Sequence, residues 1–234
     1  MLLGVAGLSG CQGFNMNTTQ LRVIDASPDA GLIDSYQNNA ALAYNLGFGT
    51  ATSYISTSPG VYTLSADKAG TRQALIASTE TLAAGKQYTE IVGAGLANMQ
   101  QALFLDESTP APAGQISVRI IDEATHFGGV DVYMIPMAPT SGKVASASPL
   151  AINLGFGSNS GYINIPAGTY AIDVVPTGTT LVSPTPTLLS GAQINYTAGA
   201  VRTVVLIDQE TVAAPHAGLA PGVQAIVADD ADAQ

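Results

Sequence analysis

The chain is written in short runs of β-branched, aliphatic and aromatic residues, each closed by turn formers. Leu21-Arg22-Val23-Ile24 ends at Asp25 and leads into the turn Ser27-Pro28-Asp29. Val61-Tyr62-Thr63-Leu64-Ser65-Ala66 follows Pro59-Gly60, and Ala74-Leu75-Ile76-Ala77, Tyr88-Thr89-Glu90-Ile91-Val92 and Leu103-Phe104-Leu105 come after it. Farther on, Tyr170 to Val175 and Arg202 to Ile207 have the same character. No segment sustains a 3.6-residue apolar period between helix caps, so helices are expected to be minor. The pattern predicts an all-β chain of antiparallel, immunoglobulin-like or transthyretin-like β-sandwiches.

The pattern occurs twice. Leu21-Arg22-Val23-Ile24-Asp25 returns as Val118-Arg119-Ile120-Ile121-Asp122, and Ile33-Asp34-Ser35-Tyr36 returns as Val130-Asp131-Val132-Tyr133 at the same spacing. Leu46-Gly47-Phe48-Gly49 returns as Leu154-Gly155-Phe156-Gly157, Tyr54-Ile55 as Tyr162-Ile163, and Gly60-Val61-Tyr62 as Gly168-Thr169-Tyr170. The spacing of this second set is longer, and the extra residues fall in the Pro/Ser/Ala-rich stretch Met134 to Pro149, read as a lengthened loop. Ser108 to Gly114 holds Pro110 and Pro112 and reads as a linker. The expected organisation is a leader over 1–11, a tether over 12–19, one sandwich over 20–107, the linker over 108–114 and a second sandwich over 115–232. Order and residue type persist across several segments, which argues for duplication.

Composition narrows the function. Only 10% of the 234 residues are charged against 47% hydrophobic, which excludes a disordered polyanion. The net charge is −10, and no basic stripe exists to displace phosphate counterions, so nucleic acid is not an expected partner. The lone cysteine, Cys11, allows no internal disulfide. It directly follows Leu8-Ser9-Gly10, which resembles the lipobox of a bacterial lipoprotein, where the cysteine thiol takes the lipid after signal-peptide cleavage. The preceding ten residues are apolar and small, carry no Lys or Arg, and are too short to span a bilayer as a helix. Cys11 is thus the expected lipid anchor, and a membrane the expected first partner at a periplasmic or cell-surface location.

Arg22 to Ala30, with Asp34, Tyr36, Gly47-Phe48-Gly49, Tyr54, Pro59 to Leu64 and Leu82 to Thr89, together resemble the DUF4397 domain. The resemblance covers nearly all of the first copy. It is thinner in the second, where Ala124-Thr125-His126 stands in place of Ser27-Pro28-Asp29. It implies an exported or surface lipoprotein with tandem β-sandwiches, and it assigns no catalytic residue. Leu82 to Tyr88 also resembles the tyrosine corner of immunoglobulin-like sandwiches, in which the phenol bonds back to a nearby carbonyl; the second copy has Arg202 at the position of Tyr88.

Candidate chemistry is sparse. There is no Trp, and most tyrosines recur at matched positions, which points to a shared structural role. Tyr44 and Tyr196 lack a tyrosine counterpart and are the candidates for stacking on a sugar. Asp25, Asp29 and Asp34 are weak candidates for a Ca²⁺ site, against the plainer reading of turn capping and of pairing between Asp34 or Asp131 and Arg22 or Arg119. His126 and His216 have no companion ligands for zinc. Gly157-Ser158-Asn159-Ser160-Gly161 departs from the nucleophile elbow, and Asp229-Asp230-Ala231-Asp232 reads as a solvated face. No cofactor and no catalysis are expected. The leading expectation is a lipid-anchored structural or adhesive module that meets an envelope protein or glycan. A carbohydrate-binding module comes second, and a hydrolase using His126 or His216 third.

Overall fold

The computed structural model describes residues 17–136, 147–182, 186–209 and 222–232. Cys11, His216 and the middle of the Met134–Pro149 loop lie outside these residues. The described chain is all-β, with a single 3-10 turn at Leu96–Asn98.

Four sheets stack as layers. The first inner sheet orders its strands β4-β1-β8-β9, namely Thr50–Ala51, Thr19–Asp25, Gln87–Gly93 and Gln100–Asp106, with β5 (Ile55–Thr57) also on β1. The first outer sheet is β3-β2-β6-β7: Ala40–Leu46, Ile33–Gln37, Gly60–Lys68 and Ala74–Leu82. In the C-terminal half the inner sheet is β13-β10-β17-β18: Asn159–Pro166, Gln115–Asp122, Val201–Asp208 and Val223–Ala231. The outer sheet there is β12-β11-β14-β15: Ala151–Leu154, Val130–Pro136, Gly168–Pro176 and Leu189–Ser190, with β16 (Ile194–Tyr196) also on β14. Both halves thus have the same strand order. Among the described residues every pairing is antiparallel except β1–β8 and β10–β17, which are parallel.

The sequence pattern follows from the layering. Strands β1, β8, β10 and β17 are covered on both faces, so they read as nearly continuous buried runs rather than alternations. Side chains alternate across a strand. Leu21 and Val23 of β1 therefore meet Leu64, Ile33 and Ala66 of the first outer sheet, while Ile24 meets Ile121, Val205 and Ile207 of the other inner sheet. In β10, Val118 and Ile120 pack on Val130, Val132 and Val174, and Ile121 faces the N-terminal half. The halves are therefore joined by an apolar core of their own, closed by Phe48, Phe104 and Ile226. Each aliphatic side chain buried there contributes about 1.5–3 kcal/mol. The Pro-containing segment 108–114 lies along this body, with Ala111 N–H donating to Gly199 O and Ala167 N–H to Gly114 O.

The tyrosine corner forms with a changed bond. Ala83 N–H donates to Tyr88 Oη at 3.2 Å, so the phenol accepts from an amide instead of donating to a carbonyl. At the matching place Arg202 bonds Val201 O and Ala231 O and pairs with Asp229 and Asp232.

Candidate functional site: an aromatic groove on the N-terminal outer sheet

The three aspartates considered for Ca²⁺ do not converge. Asp25 Oδ1 accepts from Ser27 N–H at 2.9 Å, an Asx turn, and burial pushes its carboxyl up to about 7. Asp29 Oδ1 accepts from Leu96 N–H at 2.6 Å at the start of the 3-10 turn. Asp34 Oδ1 accepts from Asn45 N–H at 2.8 Å, and Oδ2 accepts from Gly70 N–H at 2.9 Å. Each carboxylate satisfies local backbone donors. Among the described residues no group of three His, Cys, Asp or Glu side chains is arranged to hold a metal. Asp34 does not pair with Arg22, nor Asp131 with Arg119; both arginines turn to the inner interface instead.

The two tyrosines separate. Tyr196 is 3% exposed and packs in the C-terminal core, 6.4 Å from the ring of Tyr170, so it offers no stacking surface. Its β16 position turns it inward against β14. Tyr44, on edge strand β3, is 64% exposed.

Tyr44 borders an open groove of about 470 Å³ lined by Asp34, Tyr36, Tyr44, Asn45, Gly70, Thr71 and Arg72. Two turns build it. Asn45 bulges out of β3 with φ 53°, and Gly70 turns the β6–β7 hairpin with φ 75°, a left-handed conformation that glycine adopts without a Cβ penalty. Asp34 ties both turns to β2 through the two amide bonds above. Thr71 Oγ1 donates to Lys68 O at 2.7 Å and fixes the hairpin end. On this base the ring of Tyr36 lies beneath Arg72, whose Cζ is 3.9 Å from the ring centroid. The rings of Tyr36 and Tyr44 meet edge to face, 6.1 Å apart and at 82°. A guanidinium floor and a tyrosine wall thus meet at a corner open to solvent. Such a corner suits a ring-shaped polyol: a CH face against the tyrosine, hydroxyls or anionic groups toward the guanidinium. Sequence reading singled out Tyr44 by its lack of a counterpart. It assigned Tyr36 to the fold and passed over Arg72, an isolated cation in a turn.

A second polar cluster lies between the inner sheets and is exchanged between the halves. Arg22 donates from Nη2 to Asp230, from Nη1 to Asp229 O at 3.0 Å, and from Nε to Thr89 Oγ1 at 2.8 Å. Arg119 donates from Nη2 to Asp106 Oδ1 at 2.5 Å, from Nη1 to Leu105 O at 3.0 Å, and from Nε to Thr203 Oγ1 at 3.1 Å. Thr89 and Thr203 pass the chain on to Asp106 and Asp230, at 2.7 and 2.6 Å. Tyr54 Oη donates to Asp106 at 2.7 Å and Tyr162 Oη to Asp230 at 2.9 Å. Each phenol ring also lies under an arginine at 4.7 Å. Each arginine therefore holds an aspartate of the other half. Asp230, expected on a solvated face, is 5% exposed, and burial keeps its carboxyl above the ordinary value despite Arg22. The cluster's arginines, threonines and aspartates are buried and bonded, with the two half-buried phenols at the edge, which makes it a clamp between the halves. The signal that could have exposed it is the repeated arginine inside an otherwise apolar strand: a buried guanidinium demands a buried acid.

Other acids are buried without a cation. Burial pushes Glu90 and Glu123 up to about 7 and Asp122 up to about 6. His126 Nδ1 lies 2.8 Å from Asp208. Burial raises Asp208, but the hydrogen bonds from Thr125 and His126 outweigh it and hold the carboxyl below its ordinary value.

Residues 19–133 match the model of DUF4397, a domain of unknown function. The match runs from β1 through most of β11. No curated protein matches the chain. Among solved structures, an alpha-glucan-binding streptococcal virulence factor is similar at 11% identity, with 80% of this chain and 92% of that chain covered and a TM-score of 0.24. The family CBM26 module of Amy13K from Eubacterium rectale, solved with maltoheptaose, is similar at 11% identity over 90% of this chain and 96% of that chain, with a TM-score of 0.27.

Proposed function

We propose that the protein is a non-catalytic, carbohydrate-binding adhesive module of the bacterial cell envelope. In this reading it is lipid-anchored through Cys11 and built from two copies of the DUF4397 domain. The observation that carries the binding reading is the corner formed by exposed Tyr44, Tyr36 and Arg72. A tyrosine 64% exposed beside a groove, on a frame whose polar groups are already satisfied by backbone, is a surface without a structural task. The common strand order of the halves and the exchanged clamp support the duplication. Leu8-Ser9-Gly10-Cys11 supports the anchor. A single acyl chain binds a bilayer only marginally, whereas the several chains of a mature lipoprotein hold it firmly.

Two measurements test the reading. Radiolabelled palmitate should enter the wild-type chain in a bacterial host and be absent from Cys11→Ala; equal label in both would refute the anchor. Insoluble polysaccharides should retain the soluble Cys11→Ala chain, and the additional change Tyr44→Ala should release it. Retention that is absent, or unchanged by Tyr44→Ala, contradicts the groove.

A further inference from the structure

We infer that the ligand of this groove carries a carboxylate, as a uronate sugar does, and that Arg72 reads it. The inference rests on the groove being a glycan site and adds the ligand class. Cations are scarce in this chain: seven Lys and Arg against seventeen Asp and Glu. Arg22, Arg119 and Arg202 each hold an aspartate. Among the described residues no carboxylate holds Arg72. The one acid lining the groove, Asp34, is 3% exposed, has its oxygens bonded by the Asn45 and Gly70 amides, and makes no ion pair with Arg72.

Arg72 is nevertheless ordered by contact. Its Cζ lies 3.9 Å over the Tyr36 ring while the residue stays exposed, so the guanidinium rests on the ring and keeps N–H donors free for a ligand. Two parallel N–H donors in one plane match the two oxygens of a carboxylate, and a neutral hydroxyl uses only one of them. Tyr44 meets Tyr36 edge to face at 6.1 Å, so a sugar whose CH face rests on Tyr44 has a ring substituent within reach of the guanidinium over Tyr36. A carboxylate at C5 of a pyranose is such a substituent.

The test uses the full-length chain and isothermal titration with three probes: an oligogalacturonate, its methyl ester, and a neutral maltooligosaccharide. The acid should bind at least about tenfold more tightly than its methyl ester, as a charge-assisted pair implies. Arg72→Gln should erase that preference while lowering the melting temperature by only about 2–4 °C, the loss of one exposed cation–π contact. Arg72→Lys should keep part of the affinity and lose part of the discrimination, since an ammonium is a point charge without the planar fork. Equal binding of acid and ester, or a preference that survives Arg72→Gln, overturns the inference and leaves the glycan reading in place. Failure of all three probes to bind overturns both.

Discussion

The two outer faces of the molecule share a frame and differ in what stands on it. In the N-terminal half Asp34 receives Asn45 N–H at 2.8 Å; in the C-terminal half Asp131 receives Asn153 N–H at 2.8 Å. Asn45 and Asn153 have the same left-handed φ, 53° and 51°, and Gly70 and Gly178 turn the facing hairpins at 75° and 80°. Thr71 and Thr179 close those hairpins on Lys68 O and Pro176 O. Yet Tyr44 corresponds to Ile152, and the residue after the hairpin threonine is Arg72 in one half and Thr180 in the other. Tyr36 and its counterpart Tyr133 are both buried, Tyr36 under the Arg72 guanidinium and Tyr133 with Ile135 and Val175 against Ala147 and Leu181. Both faces leave a large side chain exposed, Tyr44 at 64% and Ile152 at 67%, but only the N-terminal one sets it beside an aromatic ring and a guanidinium. The inner faces show the opposite behaviour: Arg22 and Arg119, with their threonines, tyrosines and aspartates, make the same bonds in mirror roles. Residues that must satisfy each other across the interface take the same arrangement in both halves, and residues facing solvent differ between them.

The largest expected effect breaks the inner symmetry. Arg22→Met leaves Asp230 buried without its cation, and Arg119→Met does the same to Asp106. Each should cost about 3–5 kcal/mol, or roughly 10 °C in melting temperature, because breaking a buried pair leaves an uncompensated charge. The two costs should agree closely; thermal unfolding by circular dichroism that shows one arginine dispensable would end the claim of equivalent roles.

A smaller effect is a dependence on pH. Asp25, Glu90 and Glu123 titrate near 7 and Asp122 near 6 in the folded chain, all raised by burial. Unfolded, they titrate near 4. Between these values the folded state holds protons that the unfolded state has released, so stability falls as pH rises. The stabilisation is fully present below about 4 and is lost as pH climbs through about 7. Asp208, lowered instead, acts in the opposite sense below pH 4. Chemical denaturation should give a higher midpoint at pH 5 than at pH 8, and Glu123→Gln should flatten part of that slope. A higher midpoint at pH 8 would contradict the burial of these acids.

The smallest effect is on stability at the outer faces. Tyr44→Ala and Ile152→Ala remove side chains 64% and 67% exposed, and each should change stability by less than about 0.5 kcal/mol.

Much of this was legible along the chain. Repeated Arg-hydrophobic-Ile-Asp runs mark β1 and β10, and the turn residues mark most strand ends. The layering was not, because a strand buried on both faces has the composition of any short apolar run. Asp106 carries no sequence signal and Asp230 reads as part of a solvated acidic run, because neither sits in a repeated word and their partners lie in the other half. Tyr44 stands out because the matching position holds Ile152, whereas Arg72 gains meaning only from the ring beneath it. Tyr196 shared the sequence signal of Tyr44 and is buried by its pairing strand, a distinction that needs three dimensions.

The account turns on the outer face of the N-terminal half being the surface that binds. The measurement that reaches it most directly compares the full-length wild type, Tyr44→Ala and Ile152→Ala on one glycan array. The account predicts that wild type and Ile152→Ala bind the same glycans equally and that Tyr44→Ala loses them. Equal loss in both variants, or binding that Tyr44→Ala leaves intact, would contradict it.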